Sequence, residues 1–217
     1  MNKIIAIDGP SGAGKSTIAQ ALSVRLGYEY LDTGAFYRAA ALKLNRSGLD
    51  QDATDQRISD VLGDTRFEFT DGELYLDGVS VSTAIRTPEA GMMASVFSTK
   101  KAVRDSLLKV IRDCAHDKDV VAEGRDTTTV VFPQAWLKLY ITASTDVRIR
   151  RRFKQLHDYQ IDTDLHETTN DIVKRDQRDS ERELAPLAKA VDATVIDTSD
   201  MSIEEALQEI LRIFTDR

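Results

Sequence analysis

Residues 9–16 read Gly-Pro-Ser-Gly-Ala-Gly-Lys-Ser, and this motif, with the residues around it, indicates the class of fold. Before it, residues 3–8 form a short, continuously apolar segment that predicts a strand buried on both faces of a parallel sheet. After it, Ile18 and Leu22 recur at helical spacing, and Gly27 follows where a helix usually stops. Strand, glycine-rich loop and helix in this order are the context in which a GxxxxGKS pattern indicates a phosphate-binding loop.

The residue types of this loop suit a nucleoside triphosphate. Glycines let the backbone bend around an anion, and the exposed amide N–H groups and the helix N-terminus favour negative charge. We expect Lys15 to reach the outer phosphates and the Ser16 hydroxyl to ligate Mg²⁺. An ordinary glycine turn is the alternative, and the matching flanks disfavour it. The expected ATP-binding residues are Gly9, Pro10, Ser11, Gly12, Ala13, Gly14, Lys15, Ser16 and Thr17.

Composition and charge narrow the class of protein further. The 217 residues amount to one domain or one and a half, and 29 Lys and Arg against 36 Asp and Glu give a net charge of −7. This acidic balance argues against a protein that coats nucleic acid by charge. The single Cys114 rules out an intrachain disulfide, and His157 and His166 have no second ligand cluster for zinc. Without a signal-peptide core or a membrane-length apolar stretch, we expect a cytoplasmic protein with no membrane partner.

Strand and helix patterns alternate along the rest of the chain. A strand is expected at residues 28–31, and a helix from Phe36 to about Gly48. Residues 63–87 alternate apolar and polar side chains around Asp-Gly pairs at 71–72 and 77–78, which predicts an inserted β-hairpin. Further helices are expected at 103–115 and 203–214, and further strands at 119–122, 137–142 and 194–197. The pattern predicts an α/β fold with a parallel sheet flanked by helices.

Two polar segments follow predicted strands, and both are candidates for a second substrate site. Residues 32–38 carry a hydroxyl, an aromatic ring and an arginine, and residues 123–126 carry an acid and an arginine. Parallel sheets bind ligands at the carboxyl edge of their strands. We expect Glu123 to hold Mg²⁺ through water there. For the first segment alone, an N-capped helix with a solvated Arg38 is an equally open interpretation.

Arginines of the C-terminal half are further candidates for binding phosphate groups. A predicted helix over 171–183 places four side chains on one face, and a second basic cluster lies at 146–152. A salt-bridged, solvated helix is the usual explanation of such runs. In-line phosphoryl transfer, however, needs cations around both donor and acceptor phosphates. The four residues of the shared face are Arg175, Arg178, Asp179 and Arg182.

Taken together, the motifs resemble those of the bacterial cytidylate (CMP) kinases, nucleoside monophosphate kinases, nearly from end to end. The resemblance implies a single P-loop kinase chain over residues 1–217. It implies a CORE domain, an NMP-binding region at about 33–100 with a β-rich insert, and a short mobile LID at about 146–165. It implies transfer of the γ-phosphoryl group of ATP to CMP, and to dCMP, with Mg²⁺. The motifs are IDGPSGAGKST (7–17), LDTGAFYR (31–38), IRTPEAG (85–91), EGRDTTTVVFP (123–133) and KRDQRDSERELAPL (174–187).

The same resemblance implies roles for individual residues. It assigns the cytosine ring to Ser95, Arg104 and Asp126. It assigns the acceptor phosphate to Arg38 and Arg125, and it places Arg175 and Asp179 near the ribose. The implied CMP-binding residues are Thr33, Tyr37, Arg38, Ser95, Arg104, Arg125, Asp126, Arg175 and Asp179. The implied catalytic residues are Lys15, the LID-side Arg148 and Arg152, and Arg182 close to the phosphates.

The sequence departs from the family pattern in the segment after Asp126. Thr127 and Thr128 stand where a Met-Gly or Ile-Gly pair is usual, and Thr33 stands where serine is frequent. Two β-branched residues in place of a glycine change the loop beside the acceptor site. Two other functions stay open at this point: a P-loop kinase for another small acceptor such as UMP, and a non-catalytic nucleotide-binding protein. We expect a monomer that binds small molecules and no nucleic acid.

Overall fold

The structure, a computed structural model, describes residues 2–70 and 72–217. These divide into two compact units, the first formed by residues 2–30, 118–181 and 185–217 and the second by 31–117 and 182–184. The helices are α1 (Lys15–Leu26), α2 (Thr33–Arg46), α3 (Asp55–Gly63), α4 (Pro88–Phe97), α5 (Lys101–Cys114), α6 (Thr145–Asp158), α7 (Leu165–Glu181) and α8 (Ile203–Thr215). The strands are β1 (Ile4–Asp8), β2 (Glu29–Asp32), β3 (Phe67–Thr70), β4 (Glu73–Leu76), β5 (Val79–Ser80), β6 (Val120–Glu123), β7 (Leu137–Thr142) and β8 (Thr194–Asp197).

A five-stranded sheet in the order β2-β6-β1-β7-β8 organises the first unit. The apolar β1 lies at its centre and pairs in parallel with both β6 and β7, so that Ile5 faces Val121 on one side and Leu137 on the other. A strand enclosed on both edges and both faces favours apolar residues, which explains why Ile4 to Ile7 are all apolar and why only its last residue, Asp8, is charged. The predicted parallel α/β fold is confirmed.

Helices α1 and α8 contribute apolar side chains to the core of this unit. Ile18 and Leu22 of α1, and Leu207 and Ile210 of α8, are buried in the same apolar cluster as the central strands. Helix α8 begins with a reciprocal capping box, in which Ser202 and Glu205 satisfy each other's backbone N–H groups. These contacts hold β1 and the start of α1 in fixed positions.

The second unit combines helices α2 to α5 with a small antiparallel sheet in the order β3-β4-β5. Strand β3 pairs with β4 so that Phe69 lies opposite Leu74, and the Phe69 ring packs 6.0 Å from that of Phe36 in α2. The predicted hairpin is therefore confirmed, although Asp71 of its turn lies outside the described residues. Asp77 and Gly78, both with positive φ, turn the chain from β4 into β5.

Helices α3 and α4 are elements that the sequence analysis did not predict. Both begin at a threonine N-cap, Thr54 for α3 and Thr87 for α4, and Pro88 occupies the first turn of α4. The cap residues were therefore a usable sequence signal for both helices. The apolar stripe of α3 is too short for a helical period to be recognised in the sequence. Within residues 2–70 and 72–217, no helix combines the length and the apolar character needed to cross a bilayer.

Candidate active site

The loop between β1 and α1, together with the first turn of α1, holds all the predicted ATP-binding residues. At two positions of this loop only glycine fits, because backbone atoms of other segments lie too close for a Cβ. A Cβ at Gly9 (φ 151°) would lie 1.9 Å from the Ile141 carbonyl oxygen, and one at Gly12 (φ 76°) would lie 2.6 Å from the Arg148 carbonyl oxygen. Both positions therefore exclude a side chain for reasons of space as well as backbone conformation. The first residue of α1, Lys15, follows directly.

Lys15 is buried at the start of α1, with only 5% of its surface exposed. Its Nζ donates a hydrogen bond of 2.8 Å to the carbonyl oxygen of Pro10 within the loop. Burial lowers the pKa of Lys15 to about 7, and the positive charge of Arg125 acts in the same direction. The ammonium group is thus in a place where an added negative charge, such as a phosphate, would favour its charged form.

Ser16, in the first turn of α1, lies next to Glu123, the last residue of β6. The Ser16 hydroxyl donates to Glu123 Oε1 at 2.7 Å, and the Tyr30 hydroxyl donates to the same oxygen at 3.3 Å. This proximity arises because β6 runs parallel to β1 with Glu123 opposite Ile7. Hydroxyl and carboxylate oxygens are the ligands that Mg²⁺ prefers, and Mg²⁺ commonly completes its shell with phosphate and water. The pair therefore fits the predicted magnesium site, although the described residues contain no cluster of three or more metal-binding side chains.

Arg125, Asp179 and Arg175 form a second group of charges in the same unit. Arg125 Nε donates to Asp179 Oδ2 at 2.9 Å, and Arg175 Nε lies 3.9 Å from the same oxygen. Although burial disfavours a charge here, the carboxylates of Asp179 and Glu123 raise the pKa of Arg125. Arg125 is therefore a permanent cation. The predicted pairing of Arg175 with Asp179 on one face of a helix is present in α7. The prediction that Arg182 shares this helix is wrong, because α7 ends at Glu181.

Asp8, the last residue of β1, is completely buried and binds the segment that follows β6. Its carboxylate accepts hydrogen bonds from Thr127 N at 2.8 Å, Thr128 N at 2.7 Å and Thr128 Oγ1 at 2.6 Å. Burial raises the pKa of Asp8 above its ordinary value, whereas these donors act in the opposite direction. Residues 127–131 form a single π-helical turn, in which Asp126 O accepts from Val131 N.

Arg148 lies against the phosphate loop, where it is buried. It donates to the Ser11 carbonyl oxygen at 3.0 Å and to the Ala143 carbonyl oxygen at 3.1 Å, and it pairs with the carboxylate of Asp176 in α7. Asp176 in turn accepts from Ser11 N at 3.0 Å. The predicted LID-side arginine thus supports the loop backbone in this structure. Arg152, on the same helix, donates to Gln155 at 2.8 Å.

A further arginine of α6 supports the loop from another side. Arg151 donates to Thr198 Oγ1 at 2.9 Å and to the Thr198 carbonyl oxygen at 2.7 Å. Thr198 Oγ1 lies 3.2 Å from the Ala13 carbonyl oxygen. The loop backbone is therefore held from the start of α6 and from the segment after β8.

In the second unit, the predicted acceptor segment opens α2. Asp32 caps this helix by accepting from Ala35 N at 3.0 Å, and its second oxygen accepts from Arg38 at 2.6 Å. Thr33 is buried at the first position of the helix. Arg38 therefore forms an ion pair, rather than being freely solvated as the alternative interpretation supposed.

Ser98 brings together the other predicted residues of the second unit. Its carbonyl oxygen accepts from Arg104 at 3.3 Å, and its hydroxyl accepts from Arg182 at 3.3 Å and donates to the Ser95 carbonyl oxygen at 2.9 Å. The Arg104 guanidinium lies 5.4 Å from the centre of the Tyr37 ring, within cation–π distance. Tyr37, Ser95 and Arg104 are all buried, so none of them is an ordinary surface residue.

Sequence reasoning missed Asp8, Asp176 and Ser98 as parts of these groups. A carboxylate at the end of an apolar strand was a usable signal for Asp8, because a buried acid requires donors. Asp176 lies in the charged run of α7, where an i,i+3 pattern drew attention to its neighbours. Ser98 had no distinguishing pattern.

A phosphate loop that opens a helix at the edge of a parallel sheet, with an acid beside its serine and arginines nearby, defines a P-loop phosphotransferase. The chain belongs to the cytidylate kinase family, since the sequence model of that family, described as "Cytidylate kinase", matches residues 5–216.

Curated relatives agree over nearly the full length. The cytidylate kinase of Thermodesulfovibrio yellowstonii is 44% identical over 98% of this chain and 97% of its own. That of Thermotoga maritima is 41% identical, with the same coverage.

Solved structures support the fold alone, because their sequences are distant. A shikimate kinase from Bacteroides thetaiotaomicron has a TM-score of 0.51 at 13% identity and covers 98% of both chains. An uncharacterized protein from Eubacterium ventriosum has a TM-score of 0.59 at 13% identity and covers 100% of both.

Proposed function

We propose that this protein transfers the γ-phosphoryl group of ATP to CMP, and to dCMP, in the presence of Mg²⁺. The observation that carries the proposal is the hydrogen bond of 2.7 Å between Ser16 and Glu123, beside a buried lysine in a phosphate loop. Membership in the cytidylate kinase family supplies the acceptor, since the relatives above carry that name.

On the donor side, Lys15 and the loop backbone neutralise the charge that develops on the transferred phosphoryl group. Phosphoryl transfer needs little covalent help from a protein, so positioning and charge stabilisation account for most of the catalysis. Ser16 would hold Mg²⁺ directly and Glu123 through water. When bound there, Mg²⁺ would neutralise part of the negative charge of the phosphates.

On the acceptor side, Arg38 and Arg125 bind the phosphate of CMP. Arginine suits this task because its fork of N–H groups matches two phosphate oxygens and its charge is permanent. Arg175 and Asp179 contact the ribose. Thr33 and Tyr37, from the same segment as Arg38, line the binding site for CMP. The ion pairs of Arg38 with Asp32 and of Arg125 with Asp179 support this assignment, since they orient both guanidinium groups before a phosphate arrives.

Asp126 and Arg104, with Ser95, read the base. Cytosine offers an N4 amino donor and an N3 acceptor, which suit a carboxylate and a guanidinium. Uracil offers an O4 acceptor and an N3–H donor, so both contacts would become mismatches. A buried polar group without its partner costs about 1 to 3 kcal/mol, and two mismatches predict a preference for CMP of at least roughly a hundredfold in kcat/KM.

Arg152 and Arg182 supply further cations to the transferred group. Arg148 would join them by exchanging its bond to the Ser11 carbonyl oxygen for a phosphate oxygen. Such an exchange would couple ATP binding to a movement of the proposed LID at about 146–165, which would also exclude water.

An acceptor panel tests the proposal. CMP, dCMP, UMP and AMP are each offered with ATP and Mg²⁺ in a coupled ADP assay. Turnover of CMP and dCMP, with UMP at least roughly a hundredfold poorer in kcat/KM, is the expected result. Preference for UMP would make the protein a kinase for another acceptor, and absence of turnover with every monophosphate would indicate a non-catalytic nucleotide-binding protein. We further propose that the enzyme acts as a cytoplasmic monomer, without a nucleic-acid or membrane partner.

A further inference from the structure

Asp8 is a buried acid to which the phosphoryl-transfer chemistry above gives no task. It lies at the centre of the sheet, one residue before the phosphate loop, and is completely buried. Burying a carboxylate is costly unless donors satisfy it, and an apolar residue would pack at the end of β1 without that cost. The presence of an acid here therefore requires an explanation.

Within residues 2–70 and 72–217, the Asp8 carboxylate accepts three hydrogen bonds, all from the consecutive residues Thr127 and Thr128. One carboxylate oxygen accepts from Thr127 N, and the other accepts from both the amide and the hydroxyl of Thr128. Three donors on one buried carboxyl group offset much of the cost of taking it out of water. The binding capacity of Asp8 is thus directed to a single segment of the chain.

That segment directly follows the residues proposed to meet the acceptor nucleotide. Gly124 N donates to the Ile7 carbonyl oxygen at 2.9 Å, so the chain is attached to β1 immediately before Arg125 and, through Asp8, immediately after Asp126. The Asp126 carbonyl oxygen also accepts from Val130 N at 2.8 Å. The backbone of residues 125 and 126 is therefore restrained at both ends.

We infer that Asp8 is a positioning residue that fixes the directions in which Arg125 and Asp126 meet the acceptor, and that the Thr128 hydroxyl strengthens this attachment. The inference rests on the proposed function. The inference extends that function by giving Asp8, the residue before the phosphate loop, a role in binding the acceptor. It also makes Thr128 a determinant of acceptor selectivity.

Neighbouring threonines provide a matched pair of variants. Thr128→Val removes the hydroxyl that binds Asp8 and keeps the shape of the side chain. Thr127→Val makes the same change one residue earlier, where Oγ1 is buried and makes no hydrogen bond within residues 2–70 and 72–217. Thr128→Ser keeps the hydroxyl and serves as the rescue variant.

KM and kcat for CMP, UMP and ATP are measured for each full-length variant, together with the midpoint of thermal unfolding. We expect Thr128→Val to raise KM for CMP about tenfold and to narrow the ratio of kcat/KM for CMP over UMP, with KM for ATP unchanged. Thr128→Ser and Thr127→Val should retain the wild-type constants. If Thr128→Val does not fold, Asp8→Asn is measured instead, because its NH₂ group would face at least one backbone donor and should give the same selective loss.

The outcomes separate the inference from the proposed function. Equal constants for Thr127→Val and Thr128→Val, or a lower unfolding midpoint with unchanged KM for CMP, would overturn the positioning role. An equal rise in KM for ATP and CMP would do the same, since a general disturbance of the sheet would then explain it. Lack of CMP turnover by the wild-type protein would overturn the proposed function itself.

Discussion

Binding of ATP should take up a proton at alkaline pH, and Lys15 is the group responsible. In the unliganded protein, burial lowers the pKa of Lys15 to about 7. Phosphate groups next to the ammonium favour its charged form and raise that pKa again. At about pH 8, roughly nine tenths of the free lysine would be neutral, so binding should take up about 0.9 protons per ATP. At about pH 6 the uptake by Lys15 should fall to about 0.1.

The same linkage predicts how affinity changes with pH. Because ATP selects the protonated lysine, its Kd should rise about tenfold between pH 7 and about pH 8.3. Isothermal titration calorimetry in two buffers of different ionisation enthalpy measures the number of protons. The slope of the observed heat against that enthalpy equals the uptake and should be positive at about pH 8.

Lys15→Met provides the control for this experiment. It keeps most of the side-chain length but cannot take up a proton, so the slope at about pH 8 should fall close to zero, and kcat should fall by several orders of magnitude. A wild-type slope of zero at about pH 8, or an equal slope in the variant, would refute the assignment of a depressed pKa to Lys15.

The stability of the unliganded protein should rise with pH over the range in which its affinity for ATP falls. The folded-state pKa of Lys15 lies below its unfolded value of 10.5, so the unfolded chain binds the extra proton between these values. The cost of burying the charged lysine is therefore fully present below about pH 7 and is relieved as pH rises towards 10.5. Thermal unfolding at neutral pH should show Lys15→Met with a higher midpoint than the wild type.

Three further predictions concern other parts of the molecule. Hydrogen exchange should show residues 146–164 strongly protected by a bisubstrate analogue of ATP and CMP, and equal protection with and without it would exclude an ordering LID. Asp126→Asn should narrow the CMP to UMP ratio of kcat/KM mainly through loss of CMP activity, whereas an unchanged ratio would remove Asp126 from base reading. Ser202→Ala should lower the free energy of unfolding in urea by about 1 kcal/mol by removing the α8 cap, with kcat/KM unchanged; a selective loss of activity would contradict a purely structural cap.

The regular elements of the first unit could be read from the sequence because their patterns are set by burial. Strand β1 is apolar up to its last residue, Asp8, since both its faces are covered, and α8 shows a single apolar stripe since only one of its faces is buried. In the second unit, α3 buries only Ile58 and Leu62. Two buried side chains in nine residues leave too weak a pattern, and the Thr54 cap was the better indicator.

Some residues of the candidate site could also be predicted from the sequence, and others could not. That Glu123 would approach the phosphate loop followed from its place at the end of a parallel strand. The attachment of Thr128 to Asp8 could not be foreseen, since it depends on a π-helical turn that brings two amides and a hydroxyl to one carboxylate. The position of Arg148 against Ser11 depends in the same way on tertiary packing of α6, which a charge pattern does not specify.

The approach of α6 to Gly12 has a consequence for mutational libraries of this enzyme. A side chain at position 12 meets the backbone of Arg148, not the end of a flexible side chain, so it cannot be accommodated by a change of rotamer. A screen for kinase activity would then reject every single-residue replacement at this position alike, regardless of charge or size. Variants that regain activity should carry a second change that moves the backbone of α6 away from the loop. Such pairs would show non-additive effects, and they would reveal a backbone contact that alanine scanning would misread as lost nucleotide affinity.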